Sequence, residues 1–349
     1  MSRTRLFETI DLKEIRENMI LSIRHTALSL ATAAVMMAAA FTTPAFAAPV
    51  VVDRITVGEA PTAVAFSPNG KKAYVTNTNS GTVSVINVKT GDVVDTIDVG
   101  LAPAAVAVSP NGRYAFVANY GDDTVSVIDN RYGETLYGFE VGDAPSSVAF
   151  SPNGKRVYVS NTESDTVSVI SWKNGSVVTI DVGAAPNSVA FSPNGKKAYV
   201  ANNGDGTVSV INVSRGVVTT TIDVGVQARF VAFSPNGKKA FVATTDFDLG
   251  GVSVINVKKG IVTDTITLSS LPVSVAFDPR GKQAFVSTAS WDSLVGDNGS
   301  VEIIKVATGD VTGTISFNGD YPQQVAISPN GKRAYVAQFN GGVSVIKVR

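Results

Sequence analysis

The sequence predicts an all-β protein, a seven-bladed β-propeller of four-stranded antiparallel blades with the last blade closed by the N-terminal strand. Three observations predict this fold. A phrase of the type VAFSPNGKKAYV occurs seven times in the 349 residues. The prolines of successive copies are 42, 42, 41, 42, 44 and 50 residues apart, and strand-rich repeats with such periods are typical of propellers. No segment beyond the N-terminal region has an apolar period of 3.6 residues, so helices are not expected.

The first repeat shows how each blade is built. Residues 62–66 form the first strand, and the SPNG that follows is a tight turn, because proline fixes φ and glycine tolerates positive φ. Residues 71–77 and 82–88 form the second and third strands, and both are rich in β-branched or aromatic side chains. Residues 93–100 form the fourth strand. Asn77 ends the second strand, and we expect its side chain to bond backbone groups of the following loop.

The two chain ends predict how the ring closes. The C-terminal segment GGVSVIKVR is a third strand with no fourth strand after it. Residues 50–58 (VVVDRITVG) match the text of a fourth strand, VVDTIDVG. The N-terminal strand is therefore expected to complete the seventh blade. Closure of this kind buries both faces of every sheet and leaves only short, protected edges.

Residues 1–47 are predicted to be an N-terminal extension and signal peptide. From Met19 the sequence has a short basic region, an Ala-rich apolar run over about 27–41, and an AFA motif that ends at Ala47. Cleavage there would leave 48–349 as a single propeller domain with no integral membrane span. An uncleaved anchor is the alternative, although the apolar run is short and contains Thr and Ser. The expected location is the periplasm, the cell surface or the medium.

The composition narrows the available chemistry. Apolar residues make up 44 % of the chain, enough for a large core, and charged residues only 17 %. The chain has no cysteine, which excludes disulfides and thiol nucleophiles. Its one histidine, His25, lies in the predicted signal peptide. No metal and no cofactor is predicted, and any acid–base catalysis would fall on carboxylates alone.

Several phrases resemble a known repeat family. AYVTN (73–77), YVSN (158–161), YVAN (199–202) and the recurring SPNGK look like the YVTN-family β-propeller repeat, a WD40-like repeat of exported bacterial and archaeal proteins that include surface-layer proteins. The resemblance covers nearly all of the chain after the signal peptide. It implies a propeller at the cell surface or in the periplasm. Related propellers include sugar-lactone hydrolases, antibiotic-opening lyases and subunits of periplasmic redox enzymes, and the fold does not choose among them.

Charges are expected to separate between the two ends of the ring. The first-to-second and third-to-fourth turns share one end and carry most of the basic residues, such as Lys71, Lys155 and Lys238. The other connections are mainly acidic, and Arg229 is their exception. A field of this shape orients a protein toward an anionic polymer. The alternative is that the turn lysines keep a β protein soluble and discourage edge pairing.

The copies differ most in blades five to seven, at the acidic end. Second-to-third loops lengthen to 244–251 and 288–300, and FNGDYPQQ precedes the last blade. These segments are expected to converge near the channel mouth, where aromatics, carboxylates and one cation suit a sugar or peptide. GDNG at 296–299 is no complete calcium loop. Loop drift without function is the alternative. The candidate ligand-binding residues are Arg229, Asp246, Phe247, Asp248, Trp291, Asp292, Tyr321, Gln323 and Phe339.

The predicted function is that of an exported, non-catalytic binding scaffold of the cell envelope. Its expected partner is an envelope polymer or a protein, and the chain is expected to be monomeric. Nucleic acid is not expected, because Lys plus Arg and Asp plus Glu are both 29 and the protein is predicted to be exported. The alternative is a periplasmic enzyme or redox accessory subunit, lactonase-like or a carboxylate-based hydrolase. An enzyme would lose turnover on replacement of Asp246, Asp292 or Arg229.

Overall fold

The computed structural model describes residues 49–225, 227–245, 250–289 and 298–348. Backbone contacts divide the chain into two units, Met1–Ala48 and Pro49–Arg349. All of the described residues belong to the second unit. Within them every regular element is a β-strand, so the predicted fold class is confirmed.

The strands form seven four-stranded antiparallel sheets, and the first strand, β1 (Val50–Ile55), belongs to the last sheet. The first blade consists of β2 (Pro61–Phe66), β3 (Lys72–Asn77), β4 (Thr82–Asn87) and β5 (Val93–Asp98). The second consists of β6 (Pro103–Val108), β7 (Tyr114–Asn119), β8 (Thr124–Asp129) and β9 (Glu134–Glu140). The third consists of β10 (Pro145–Phe150), β11 (Val157–Asn161), β12 (Thr166–Ser171) and β13 (Ser176–Asp181).

The remaining blades repeat the same order with slightly longer strands. The fourth consists of β14 (Pro186–Phe191), β15 (Lys197–Asn202), β16 (Thr207–Asn212) and β17 (Val217–Asp223). The fifth consists of β18 (Gln227–Phe233), β19 (Lys239–Thr245), β20 (Gly250–Asn256) and β21 (Ile261–Thr267). The sixth consists of β22 (Leu271–Phe277), β23 (Gln283–Ala289), β24 (Asn298–Lys305) and β25 (Val311–Asn318). The seventh begins with β26 (Pro322–Ile327), β27 (Arg333–Gln338) and β28 (Gly342–Lys347).

The ring closes as the sequence predicts. β1 pairs antiparallel with β28, with Val51 opposite Ile346 and Ile55 opposite Val343. The seventh sheet therefore has the order β1-β28-β27-β26 and combines both ends of the described chain. The buried apolar residues form seven clusters, one between each pair of neighbouring blades. Because each sheet has a cluster on either face, no blade leaves an apolar face in water.

The largest buried side chains occupy one repeated position in the middle of each second strand. They are Tyr74, Phe116, Tyr158, Tyr199, Phe241, Phe285 and Tyr335. In five of the seven blades this ring contacts a phenylalanine in the first strand of the next blade; Tyr199 and Phe233, for example, have centroids 4.6 Å apart. Such pairs add to the stability that area burial already provides. The repeated AYV and VAF phrases thus build the contact between blades.

Backbone hydrogen bonds define the two ends of the ring. At one end the third-to-fourth turn reaches the SPNG-type turn, with the Val88 N–H donating to the Lys71 carbonyl at 3.0 Å. We call this the turn end. At the other end the second-to-third loop reaches the connection between blades, with the Thr78 N–H donating to the Ala60 carbonyl at 3.1 Å. We call this the loop end.

The asparagine that ends the second strand has a different partner from the expected one. The Asn77 amide nitrogen donates to Thr82 Oγ1 and Ser84 Oγ, both at 2.9 Å, and not to backbone of the following loop. The expectation of a backbone partner was therefore wrong. The antiparallel register places Asn77 beside the start of the third strand, where two hydroxyls lie within reach. Asn119, Asn161 and Asn202 make the same pair of bonds.

Candidate functional site

A β-bulge in the first strand of every blade places one side chain at the mouth of the central channel. The register between first and second strands shifts in each blade, for example between Ala228 and Phe230 in blade five. A bulge re-aims the side chain of its extra residue, which here is Arg229. We call the seven equivalent positions the mouth ring. It consists of Thr62, Ala104, Ser146, Asn187, Arg229, Val273 and Gln323.

The mouth ring lines a cavity of about 1100 Å³. At the loop end the cavity is edged by residues that follow second strands, among them Tyr120, Asn203 and Phe339. Nearer the turn end its wall is apolar and includes Phe150 and Phe191. A polar opening above an apolar wall is typical of sites that orient a small ligand with a few polar groups.

Arg229 brings a positive charge to the lining of this cavity. Among the residues that the structure describes, its guanidinium has no ion-pair or hydrogen-bond partner, and no other lining residue carries a charge. Burial lowers the pKa of the guanidinium from its ordinary value, because desolvation disfavours the charged form. An arginine nevertheless remains protonated at neutral pH. The channel mouth therefore holds a partly desolvated cation, and no carboxylate of the described residues lies beside it in the cavity.

Asn187 supports the backbone that carries this cation. Its amide nitrogen donates to the Arg229 carbonyl oxygen at 2.9 Å, across the junction between blades four and five. That bond fixes the amide's orientation, and it leaves the Asn187 carbonyl oxygen as an acceptor at the mouth. The neighbouring Ser188 hydroxyl accepts the Val231 N–H at 3.3 Å, so blade four anchors the Arg229 strand at two points.

The mouth ring has a structural role in blades one and three. Thr162 Oγ1 lies 2.8 Å from Ser146 Oγ and 2.9 Å from the Pro186 carbonyl oxygen, which ties blade three to blade four. Thr62 and Thr78 bond each other in blade one. These hydroxyls hold neighbouring blades together. The polar groups that remain for a ligand are concentrated in blades four to seven.

Several acids of the loop end are also structural, which sequence analysis did not reveal. The Asp123 carboxylate accepts the Ala144 N–H at 2.8 Å, and Asp165 accepts the Ala185 N–H at the same distance. Ala144 and Ala185 have φ of 52° and 48°, a left-handed conformation that is unfavourable for alanine. The carboxylates therefore stabilise strained connections between blades. Part of the predicted acidic end has this explanation and needs no ligand.

The structure brings four of the nine candidate residues together. Arg229, Tyr321, Gln323 and Phe339 all line the channel cavity. Phe339 has 43 % of its surface exposed, and its N–H donates to the Tyr321 carbonyl at 3.0 Å. The structure adds Tyr120 and Asn203 from the blades that looked uniform in sequence. The other candidates lie outside the described residues: Asp246, Phe247, Asp248, Trp291 and Asp292.

The described part of the chain has neither a cluster of metal-ligating side chains nor a helix that could span a membrane. It contains no group of three or more histidine, cysteine, aspartate or glutamate residues placed to share a metal ion. No helix in it has the length and apolar character needed to cross a membrane. The signal peptide predicted in residues 1–47 lies outside this part.

Fold and site together define a seven-bladed β-propeller whose channel mouth is polar and carries the Arg229 cation, which has no partner within the described residues. The chain is similar to a family described as "Lactonase, 7-bladed beta-propeller", whose model matches residues 42–177. This match supports a β-propeller family and ends before Arg229. The resemblance to the YVTN repeat remains a prediction. The comparison with curated proteins found no match.

A solved structure shows the same fold. A chain of Kuenenia stuttgartiensis hydrazine synthase matches with a TM-score of 0.74 and 23 % sequence identity. The alignment covers 85 % of this chain and 99 % of that chain. At this identity the similarity establishes the fold of the propeller.

Proposed function

We propose that this protein is a binding propeller that captures a small carboxylated carbohydrate, such as a sugar acid, at the mouth of its channel. The observation that carries the proposal is the Arg229 guanidinium on the mouth ring, which is partly buried and has no partner among the described residues. A partly buried charge without a partner is unfavourable, and a ligand carboxylate would relieve this by a charge-assisted, bidentate hydrogen bond. The ligand's negative charge is thus the first element of recognition.

The neighbouring side chains support the carbohydrate part of the proposal. Asn187 offers an acceptor oxygen, and the Gln323 side-chain amide on the same ring has no hydrogen bond within the described residues. Tyr120 and Phe339 stand at the edge of the mouth with 41 % and 43 % of their surfaces exposed. Amides bind hydroxyl groups, and aromatic faces pack against the C–H face of a sugar ring.

Binding without catalysis is favoured by the composition of the lining. General acid–base catalysis needs a carboxylate, histidine or similar group within hydrogen-bond reach of the reacting atoms. The described part of the cavity presents hydroxyls, amides, aromatic rings and Arg229. These groups bind and orient a ligand, and an arginine is a poor proton donor at neutral pH.

A lactone hydrolase is the second candidate, and the family match to residues 42–177 favours it. In this case Arg229 would polarise the lactone carbonyl, and the base would come from Asp246, Asp248 or Asp292, which lie outside the described residues. Hydrolysis of gluconolactone above the uncatalysed rate, lost in Asp246→Asn or Asp292→Asn, would establish this function in place of simple binding.

The proposed setting is the cell envelope. The AFA motif that ends at Ala47 supports export, and the retained chain would be the propeller alone. An envelope polymer or protein partner, with the chain as a monomer, remains part of the proposal. Intact-mass analysis of the protein from an envelope fraction would give a mature chain that starts near Ala48.

Substitution of Arg229 tests the proposed function. Titration calorimetry with galacturonate, gluconate and neutral galactose should show binding of the two acids and weaker binding of galactose. Arg229→Gln should weaken the binding of the acids by roughly 10–100-fold, because a charge-assisted hydrogen bond contributes about 1.5–3 kcal/mol. Arg215→Gln, at an exposed position of the turn end, is the matched control. Equal affinities of Arg229→Gln and the parent protein would exclude the proposed site.

A further inference from the structure

A second groove lies at the turn end, where blades two and three meet. At most junctions a basic residue at the start of the second strand bridges to the next blade. Arg156 Nη1 donates to the Val213 carbonyl at 2.7 Å, and Lys239 Nζ donates to the Val306 carbonyl at 2.8 Å. Lys197 makes the equivalent contact with Val257 at 3.4 Å. These side chains, which sequence analysis assigned to a basic face, fasten one blade to the next.

The junction of blades two and three has an aromatic pair in place of this bridge. Tyr114 occupies the basic position, and Trp172 occupies the position of Val213. The two rings are 5.0 Å apart and inclined at 60°. The Trp172 indole N–H donates to the Gly154 carbonyl at 3.0 Å, which fixes the ring against the SPNG-type turn of blade three. The replacement leaves a groove of about 640 Å³.

A third aromatic side chain completes the wall of the groove. Tyr137 is on the outermost strand and has 45 % of its surface exposed. The equivalent positions in blades one and five are Asp95 and Asp264. Burial of part of the ring raises the pKa of its phenol, which stays neutral at physiological pH. This junction therefore differs from the repeat, because three aromatic rings line it. Aromatic rings that line a groove are suited to contact a ligand.

The charged side chains of the groove are cationic. The Arg113 guanidinium lies 4.9 Å from the centroid of Tyr114, and the Lys173 ammonium lies 5.9 Å from that of Trp172. Arg113 also contacts the buried Asp129 carboxylate at 3.4 Å, so part of its charge is compensated. No carboxylate lines the groove within the described residues. Asn153 joins it to an adjacent space of about 470 Å³.

The adjacent space extends the cationic surface toward blade four. It is lined by Lys155, Arg156 and Lys196. Asn153, which belongs to both spaces, uses its amide oxygen to accept the Lys155 N–H at 3.0 Å. Its amide nitrogen stays available as a donor. An aromatic subsite thus leads directly into a cationic one, as a chain of several ligand units would require.

We propose that this groove binds an acidic polysaccharide, with pyranose rings on Tyr137 and Trp172 and carboxylates on Lys173 and Lys155. Aromatic rings accept the C–H faces of sugars, and ammonium groups bind carboxylates. The inclined rings of Tyr114 and Trp172 provide no parallel platform for successive bases, which disfavours single-stranded nucleic acid. The groove is at the opposite end of the ring from Arg229, so this proposal is independent of the proposed function.

Binding of polygalacturonate to the full chain tests this inference. Affinity electrophoresis or calorimetry at low salt should detect binding that weakens at high salt. Tyr137→Ala and Lys173→Gln should each weaken it about tenfold. Leu136→Ala is the matched control, because Leu136 is also exposed, at 43 %, and lies next to Tyr137 outside the groove. Comparing these variants in an Arg229→Gln background keeps any binding of galacturonate units at the channel mouth out of the measurement.

Three outcomes would overturn the proposal. Equal loss of affinity in Tyr137→Ala and Leu136→Ala would show that the aromatic wall is not the site. Equal affinity for uncharged galactan would show that the cationic side chains do not contribute to binding. Tighter binding of single-stranded DNA, with loss in the same variants, would assign the groove to nucleic acid. Failure of galacturonate to bind at the channel mouth would overturn the proposed function, but it would not affect the result of the polygalacturonate test at the groove.

Discussion

Tyr199 shows how a single repeated residue holds two blades together and titrates differently from a free tyrosine. Its ring packs 4.6 Å from Phe233 of the next blade. Desolvation raises the pKa of its phenol to about 12. Its hydroxyl has no hydrogen-bond partner within the described residues. Phe116, Phe241 and Phe285 occupy the same position in other blades, so the packing does not require the hydroxyl.

Tyr199→Phe should therefore make the protein more resistant to alkali. The folded-state pKa is above the unfolded value of about 10, so this tyrosine's contribution is complete below pH 10 and is lost as pH rises toward 12. The loss amounts to at most about 1.4 kcal/mol per pH unit. Urea unfolding between pH 9 and 12 should show a smaller decline for Tyr199→Phe than for the parent. An identical decline of the free energy of unfolding in the two proteins would contradict the raised pKa of the Tyr199 phenol.

The residues at the channel mouth differ in how far the sequence predicts their position. Arg229 was a candidate because it replaces an asparagine of the preceding copy, and it does lie on the mouth ring. Tyr120 lies at the same mouth, yet its blade differs little from its neighbours in sequence. Side-chain identity predicts chemistry, whereas the bulge that aims a residue into the channel is a property of strand pairing.

At the scale of the blade, a glycine and an asparagine form a repeated contact between neighbours. The Cβ position of Gly142 lies 2.7 Å from the Asn161 amide nitrogen, and an alanine there has no room. Asn161 does not yield easily, because it is buried and bonds Thr166 at 3.0 Å and Ser168 at 2.9 Å. Blades one, two and four have the same glycine–asparagine contact.

Gly142→Ala should consequently destabilise the protein by about 1–3 kcal/mol, the usual cost of overpacking. The matched control is Gly313→Ala, in a strand interior, where the nearest atom to the added methyl is Ile303 Cδ1 at 3.6 Å. That substitution should be neutral or slightly stabilising, since it reduces the entropy of the unfolded chain. Urea denaturation of both variants gives the comparison. A stable Gly142→Ala variant would show that Asn161 can move.

Among the described residues, the glycine–asparagine contact is absent from the three blades that differ most in sequence. In blade five the asparagine is replaced by Thr244, and no described residue lies close to the Cβ position of Gly225. In blade six Thr288 replaces the asparagine, and the buried Glu302 accepts the Ser269 N–H at 2.9 Å. Blades five and six, which lack the glycine–asparagine contact, have the longer second-to-third loops, whereas blade seven, in which Gln338 replaces the asparagine, has a short loop between β27 and β28. The divergence of blades five to seven was visible in sequence, whereas the loss of this contact became visible only in the packing between blades.

For the whole molecule, the fold followed from the repeat because seven similar units have few ways to bury two apolar faces each. The closing strand was predictable as well, since β1 carries the text of a fourth strand. The function was less predictable from the sequence. The repeated residues build the ring, and the candidate sites lie where the copies of the repeat differ from one another. The aromatic groove at Tyr114 and Trp172 is one such departure, a pair of substitutions in two different blades.

Side-chain contacts of Arg54 add to the strand pairing that closes the ring. Arg54 of β1 forms an ion pair with Asp320 at 2.8 Å and donates from Nε to the Gly341 carbonyl at 2.7 Å. These contacts join the closing strand, the connection before β26 and the second-to-third loop of blade seven. A Cβ atom at position 341 would clash with the Arg54 guanidinium, so this contact requires glycine there.

Arg54→Ala should loosen the closing strand, because it leaves the largely buried Asp320 carboxylate without its partner. We expect a loss of about 1–2 kcal/mol, since the arginine side chain is half exposed and its ion pair is partly screened. In a double-mutant cycle, adding Asp320→Asn should recover part of that loss. Hydrogen exchange should rise in β1 and β28 and stay unchanged in β14 and β15 on another part of the ring. Additive effects of the two substitutions, with no change of exchange in β1, would mean that strand pairing alone closes the ring.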